Sequence, residues 1–189
     1  DIELIEKSID VQHEPVHEVE ESIKLQEKES IRLLINYGLN KLEEEHHLYE
    51  FLLKELEDVE FQTPVYNKIF EIFKDQLKEG HIIDADYYIQ NSPPEIKNEI
   101  IDLVTQRYEI SDNWGNKKIY VPKEEELLNR SAYENIIRLK HKVIKKLLDD
   151  NMKEMKRLSD DDEIERLQKV NIELNKIKVE LGKKLGIIV

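Results

Sequence analysis

The chain has no cysteine, which excludes disulfides and thiolate chemistry and fits a reducing compartment without requiring one. Glycine and proline number only five each among 189 residues, too few for a loop-rich or low-complexity chain. No apolar run approaches the ~20 residues that a bilayer crossing needs, and no signal peptide is visible. A Gly-rich phosphate loop, a Ser-His-Asp order and a GxSxG elbow are all missing, so the sequence offers no catalytic site. The chain opens at Asp1 without a methionine, and the expectation is a piece of a longer protein.

What is present is charge and helical periodicity. Charged residues make up 38% of the chain and the net charge is −13, unevenly spread. Residues 1–30 carry a net −7 and residues 31–137 a net −10, whereas residues 138–189 hold 14 basic against 10 acidic groups, a net +4. An acidic body argues against strong nucleic-acid binding, which runs on phosphate neutralisation. The lysines of the last segment are better suited to solvating two helices or steering an acidic protein partner.

The periodicity predicts an all-α fold: a multi-helix bundle, then a long helix and a C-terminal helical hairpin. Residues 1–17 read as an acidic linker or disordered tail, 18–137 as the bundle and 138–189 as the hairpin. Helices are expected from about Val19 to a Gly38 cap, over Glu43 to Val59, and from Thr63, with Pro64 at the first position, to Gly80. A short helix follows Asp84, and Ser92-Pro93-Pro94-Glu95 reads as a capping box for the next. The connector 108–122 breaks the pattern, and a small β-hairpin near 108–121 or an extended strap would both fit. Trp114 within it is expected to anchor the connector on the bundle in preference to an interface role. The first hairpin helix, over Lys123 to Leu158, would reach ~54 Å. Ser159 or Asp160 is expected to cap the second, whose stripe is Leu174, Ile177, Leu181 and Leu185.

Two metal-like motifs weigh little. His13-Glu14-Pro15-Val16-His17 matches H-E-x-x-H, but Pro15 bars the regular helix that would put both imidazoles on one face. Asp160, Asp161 and Asp162 are explained by a helix start without an ion. His46 and His47 point ~100° apart on a helix and cannot chelate together, and His81 and His141 are isolated. No metal or catalytic residues and no cofactor are therefore assigned.

Four stretches, in order, resemble the C-terminal region of bacterial DnaG-type DNA primases, most nearly the Bacteroidetes form. They are EKESIRLLINYG (27–38), TPVYNKIFEIFKDQLKEG (63–80), YEISDNWGNKKIYVP (108–122) and IERLQKVNIELNKIKVELGKKLG (164–186). The resemblance implies a non-catalytic helicase-interaction domain, a bundle with a terminal hairpin that docks on the N-terminal domains of the DnaB-type replicative helicase. Primer synthesis, with its zinc and magnesium, would belong to domains upstream. It also implies a cytoplasmic place at the replication fork and a monomer when alone. The flanking residues Asn171, Lys178 and Lys184 and the apolar tail Ile187, Ile188 and Val189 are the expected contacts, with Leu174, Leu181 and Leu185 beside them. The competing readings are a helical scaffold or homodimerisation module, a nucleic-acid module using the basic hairpin, and a metallohydrolase using His13 and His17.

Overall fold

The computed structural model of the chain describes residues 16–42, 46–105 and 122–186. Seven α-helices occur among the described residues: α1 (Val16–Tyr37), α2 (Leu48–Glu55), α3 (Pro64–Lys78), α4 (Ala85–Asn91), α5 (Pro94–Thr105), α6 (Leu128–Met155) and α7 (Asp161–Lys184). A 3-10 turn, Glu124–Leu127, precedes α6. No strand is present among these residues, only an isolated antiparallel bridge between Lys41 and His47. The fold is all-α, as the periodicity requires. Trp114 and the 108–121 connector lie outside the described residues, as do His13 to Pro15 of the zinc-like motif and the tail Ile187 to Val189.

One apolar core joins α1 through α5 to the first half of α6. Ile31, Leu33 and Leu34 of α1 meet Leu52 of α2, Ile69 of α3, Tyr88 of α4 and Ile100 of α5, all nearly or completely buried. Leu128, Ala132, Ile136 and Leu139 of α6 complete it. Polar groups inside are matched: the Tyr88 hydroxyl donates to the Ile69 carbonyl at 2.8 Å, and Asn135 Nδ2 donates to Ser30 Oγ at 2.8 Å. Gly38 follows α1 where the chain must turn against α2. A Cβ there would meet the Leu34 carbonyl oxygen at 2.3 Å, and the Gly38 carbonyl accepts from Tyr49 N at 3.0 Å.

The start of α3 is capped from outside its own sequence. Thr63 occupies the cap position and Pro64 the first turn, but the threonine hydroxyl makes no capping bond. Instead Glu27, fully buried on α1, accepts from the backbone N–H groups of Gln62 at 2.5 Å and Thr63 at 3.0 Å. A carboxylate at a helix N-terminus satisfies orphan donors and opposes the positive end of the dipole. Periodicity within α3 could not announce this, because the capping group lies 35 residues upstream.

Four expected boundaries move. α1 begins at Val16, inside the stretch expected as linker. Of the helix expected over Glu43 to Val59, the described residues carry Leu48–Glu55, and Glu43 to Glu45 lie outside the described residues. His47 stands extended before it, bridged to Lys41, and Leu48 N donates to the Asn40 carbonyl at 2.9 Å. Ser92 closes α4 and does not open α5. The Pro93 carbonyl takes the first bond of α5, from Lys97 N, which puts Pro94 at the first helical position and rules out the capping box. The long helix starts at Leu128, not Lys123, and spans 28 residues, about 42 Å.

Upstream of α6 the chain is pinned to α1 through Glu124. Its carboxylate accepts from the Tyr37 hydroxyl at 2.7 Å and pairs with Arg32, which also pairs with Glu29 at 2.7 Å. Burial alone would raise the Glu124 pKa, but the bonds from Arg32 and Tyr37 outweigh it and hold the carboxyl below its usual value. A group depressed in the folded state stabilises the fold above its unfolded pKa, and that contribution is lost as pH falls through the folded one. Glu124→Gln is therefore expected to lower stability at neutral pH by about 1 kcal/mol or less, since the pair is solvent-screened. Melting followed from neutral pH downward should show the two proteins converge once pH has fallen through the folded pKa. A difference that persists unchanged in acid would assign the effect to packing.

Candidate interaction surface on the terminal hairpin

α6 does not stop at the edge of the core. It continues unbroken into the hairpin, held to α1 by Lys142 on the Ser22 hydroxyl and Lys146 on Glu20 at 3.5 Å, and to the loop before α3 by Lys146 on Gln62 at 2.7 Å. Lys140 meets Asp58 at 2.9 Å and Glu55 at 3.6 Å beside α2. The chain then turns over Lys156 to Asp160. Asp160 caps α7 by accepting from Asp162 N at 2.9 Å and Glu163 N at 3.4 Å. The acidic run is thus helix-start chemistry.

α7 returns antiparallel along α6, and most of its covered residues follow a heptad, with Val179 and Gly182 covered beside it. Ile164, Leu167, Asn171, Leu174, Lys178, Leu181 and Leu185, spaced three and four apart, are its covered line. The matching line on α6 is Ile137, His141, Ile144, Leu148, Asn151, Met155 and Leu158. That is the seam of a two-stranded coiled coil. Its register is fixed by one polar pair: Asn151 Nδ2 donates to Asn171 Oδ1 at 2.9 Å, and the Asn171 carbonyl accepts from Asn175 at 2.9 Å. This register sets Lys178 level with Ile144 and Leu185 level with Ile137. At its seam position Lys178 is half-buried, where its aliphatic stem is the part a seam can accept.

These placements sort the expected contact residues. Asn171 does not flank the stripe: it is 9% exposed and belongs to the seam. Leu181, at 8% exposed, is likewise committed to the hairpin. Leu174, Leu185 and Lys178 are half-buried there, and Lys184 is exposed. Ile177, expected in the stripe, is instead 44% exposed. The end of α7 also sits beside the bundle, because α7 runs back to the level of Ile137. The far point of the described hairpin is the turn at Lys156 to Asp160.

The exposed apolar residues that periodicity missed lie on either side of the seam. Leu147 of α6 is on the flank of Val170 and Ile177, while Met152 is on that of Ile172 and the half-buried Val179. A shallow groove of about 520 Å³ lies over the second flank, lined by Ile172, Asn175, Lys176, Val179, Glu180 and Lys183. The signal was the second heptad line beside the first, Val170 with Ile177 and Ile172 with Val179, each pair seven apart.

Among the described residues no group of three or more histidines and carboxylates is placed to hold a metal ion. His46 is exposed and lies 3.1 Å from Glu50, and His47 stacks on Tyr49 at 5.6 Å. No described helix is long and apolar enough to cross a membrane.

The pattern has a family. Residues 14–189 match the one described as Domain of unknown function (DUF8430). The chain belongs to that family. No curated protein and no solved structure matches the chain.

Proposed function

We propose that this domain docks a DNA primase onto the replicative DnaB-type helicase, coupling primer synthesis to unwinding, with the hairpin as the docking arm. The observation that carries the reading is the hairpin itself, a coiled coil whose seam its own two helices fill, leaving apolar side chains uncovered on both flanks. Val170, Ile172 and Ile177 are 48%, 57% and 44% exposed on a helix whose seam is already filled. Apolar residues beyond those a seam needs favour a protein partner. The net +4 of residues 138–189 would suit an acidic partner surface. The order of segments resembles the helicase-interaction region of primases, and the identity of the partner comes from that resemblance. On this reading polymerisation, with its zinc and magnesium, belongs to other domains of the parent primase, and the domain acts in the cytoplasm at the replication fork.

Calorimetry of the chain with the N-terminal domain of the same organism's helicase tests this. Binding is expected, and the double variant Val170→Ser with Ile177→Ser should weaken it about tenfold or more, as loss of two partly buried apolar contacts implies. A chain ending at Leu158 should not bind. Absence of binding by the intact chain would overturn the reading, and a mass that grows with concentration would favour a homodimerisation module in its place.

A further inference from the structure

We infer that the Met152, Ile172 and Val179 flank of the hairpin is a second docking site, whose occupant is an amphipathic helix of a partner protein bordered by carboxylates. This holds whichever protein takes the opposite flank, because the two flanks differ in chemistry. On α7 the residues four after Ile172 and Val179 are Lys176 and Lys183, so a lysine stands beside each apolar side chain. Lys169, three before Ile172, completes a row with one lysine every seventh residue, about 21 Å long. Across the seam the flank adds Met152, with Lys156 one turn beyond it. On the opposite flank the residues four before Val170 and Ile177 are Arg166 and Glu173, a border of both signs. Lys140, on that same side, is already held by Glu55 and Asp58.

Shape and charge select the same occupant. Met152 is 46% and Ile172 57% exposed, and the shallow groove is lined by Lys176 and Lys183 together with Ile172 and Val179. Glu180 is the single carboxylate of that lining. Lys169 meets Glu165 at 2.6 Å and Lys176 meets Glu173 at 2.7 Å along their own helix, exposed pairs that exchange partners at little cost. Lys183 enters no ion pair among the described residues. Apolar residues seven apart present the spacing of a further strand of a coiled coil. A helix laid beside α7 returns an apolar side chain to Ile172 and then to Val179, and carboxylates repeating at the same interval meet the lysine row. The chain as a whole carries a net −13 and repels an acidic helix, so a lysine row beside an apolar line is where such a helix can settle.

The probe is a labelled synthetic helical peptide with one leucine stripe at heptad spacing and glutamates on both sides of it. Its counterpart carries lysines in place of the glutamates. Fluorescence anisotropy with the intact chain is expected to show the glutamate peptide binding about tenfold or more tightly than the lysine peptide. Ile172→Ser should weaken that binding. The double variant Lys176→Glu with Lys183→Glu should reverse the preference between the peptides, which a loss of folding cannot do. Val170→Ser with Ile177→Ser, on the opposite flank, should leave the affinity for the glutamate peptide within about twofold, so the result stands apart from helicase binding. Equal binding of the two peptides, or a preference that survives the charge reversal, would overturn the proposal. So would a single-stranded oligonucleotide that binds the same lysine row more tightly than the peptide, which would assign the flank to nucleic acid. Peptide binding that falls as the chain is concentrated would also overturn it, because a second copy would then cover the flank.

Discussion

Glu27→Gln is expected to cost about 2–3 kcal/mol of folding free energy, because its carboxylate is fully buried and bridges two backbone donors. Glutamine keeps the shape but turns one acceptor into a donor that faces another donor. The N-terminus of α3 would then lose half of its cap and the charge that opposes its dipole. For a chain of this length the shift corresponds to a fall in melting temperature of about 4–12 °C. Glu29→Gln is the control, since Glu29 is a partly exposed partner of Arg32 and should move the midpoint little. Amide exchange gives a local readout, with the Gln62 and Thr63 amides expected to lose protection before the rest of α3. A midpoint within a degree or so of the parent protein would show that the two N–H groups have other partners and that α1 does not cap α3.

Leu139→Ala is expected to have the largest effect of any single truncation on α6, about 2–5 kcal/mol. Leu139 is completely buried, on the turn of α6 where the bundle core ends and the coiled-coil seam is already under way at Ile137. The cavity would therefore loosen both parts at once. Calorimetric unfolding should remain a single transition at a lower temperature. Leu147→Ala, about two turns further into the hairpin but 44% exposed, should fall within about 0.5 kcal/mol of the parent. Two separated transitions in the Leu139 variant would mean that bundle and hairpin fold independently, against the continuity of α6.

Much of the fold was legible because periodicity, capping and breakers act locally. Thr63-Pro64 announced α3, Asp84 announced α4 through its bond to Tyr87 N, and Asp160 announced α7. What failed was non-local. Nothing within residues 43–59 says that His47 will bridge to Lys41, and nothing near Thr63 points to Glu27. Ser-Pro-Pro-Glu misled because two prolines make two registers possible, and the chain takes the later one. The hairpin was legible as two helices, but its surface was not. Asn171 and Ile177 lie six residues apart, about 120° around the helix, and drawing the stripe through position 177 exchanged the buried asparagine for the exposed isoleucine. Once Asn171 pairs with Asn151, every other residue of the seam follows.

The unbroken course of α6 has a mechanical meaning. A rod clamped over half its length by α1 and the core has no hinge at which to swivel. A pull on the turn near Lys156 is transmitted to the Leu139 layer as a bending moment, with little lost to slack. The arm therefore presents its flanks on a fixed heading, and a partner that seizes it has little conformational freedom left to freeze. Direction, as much as affinity, is what such a beam can convey from one machine to another.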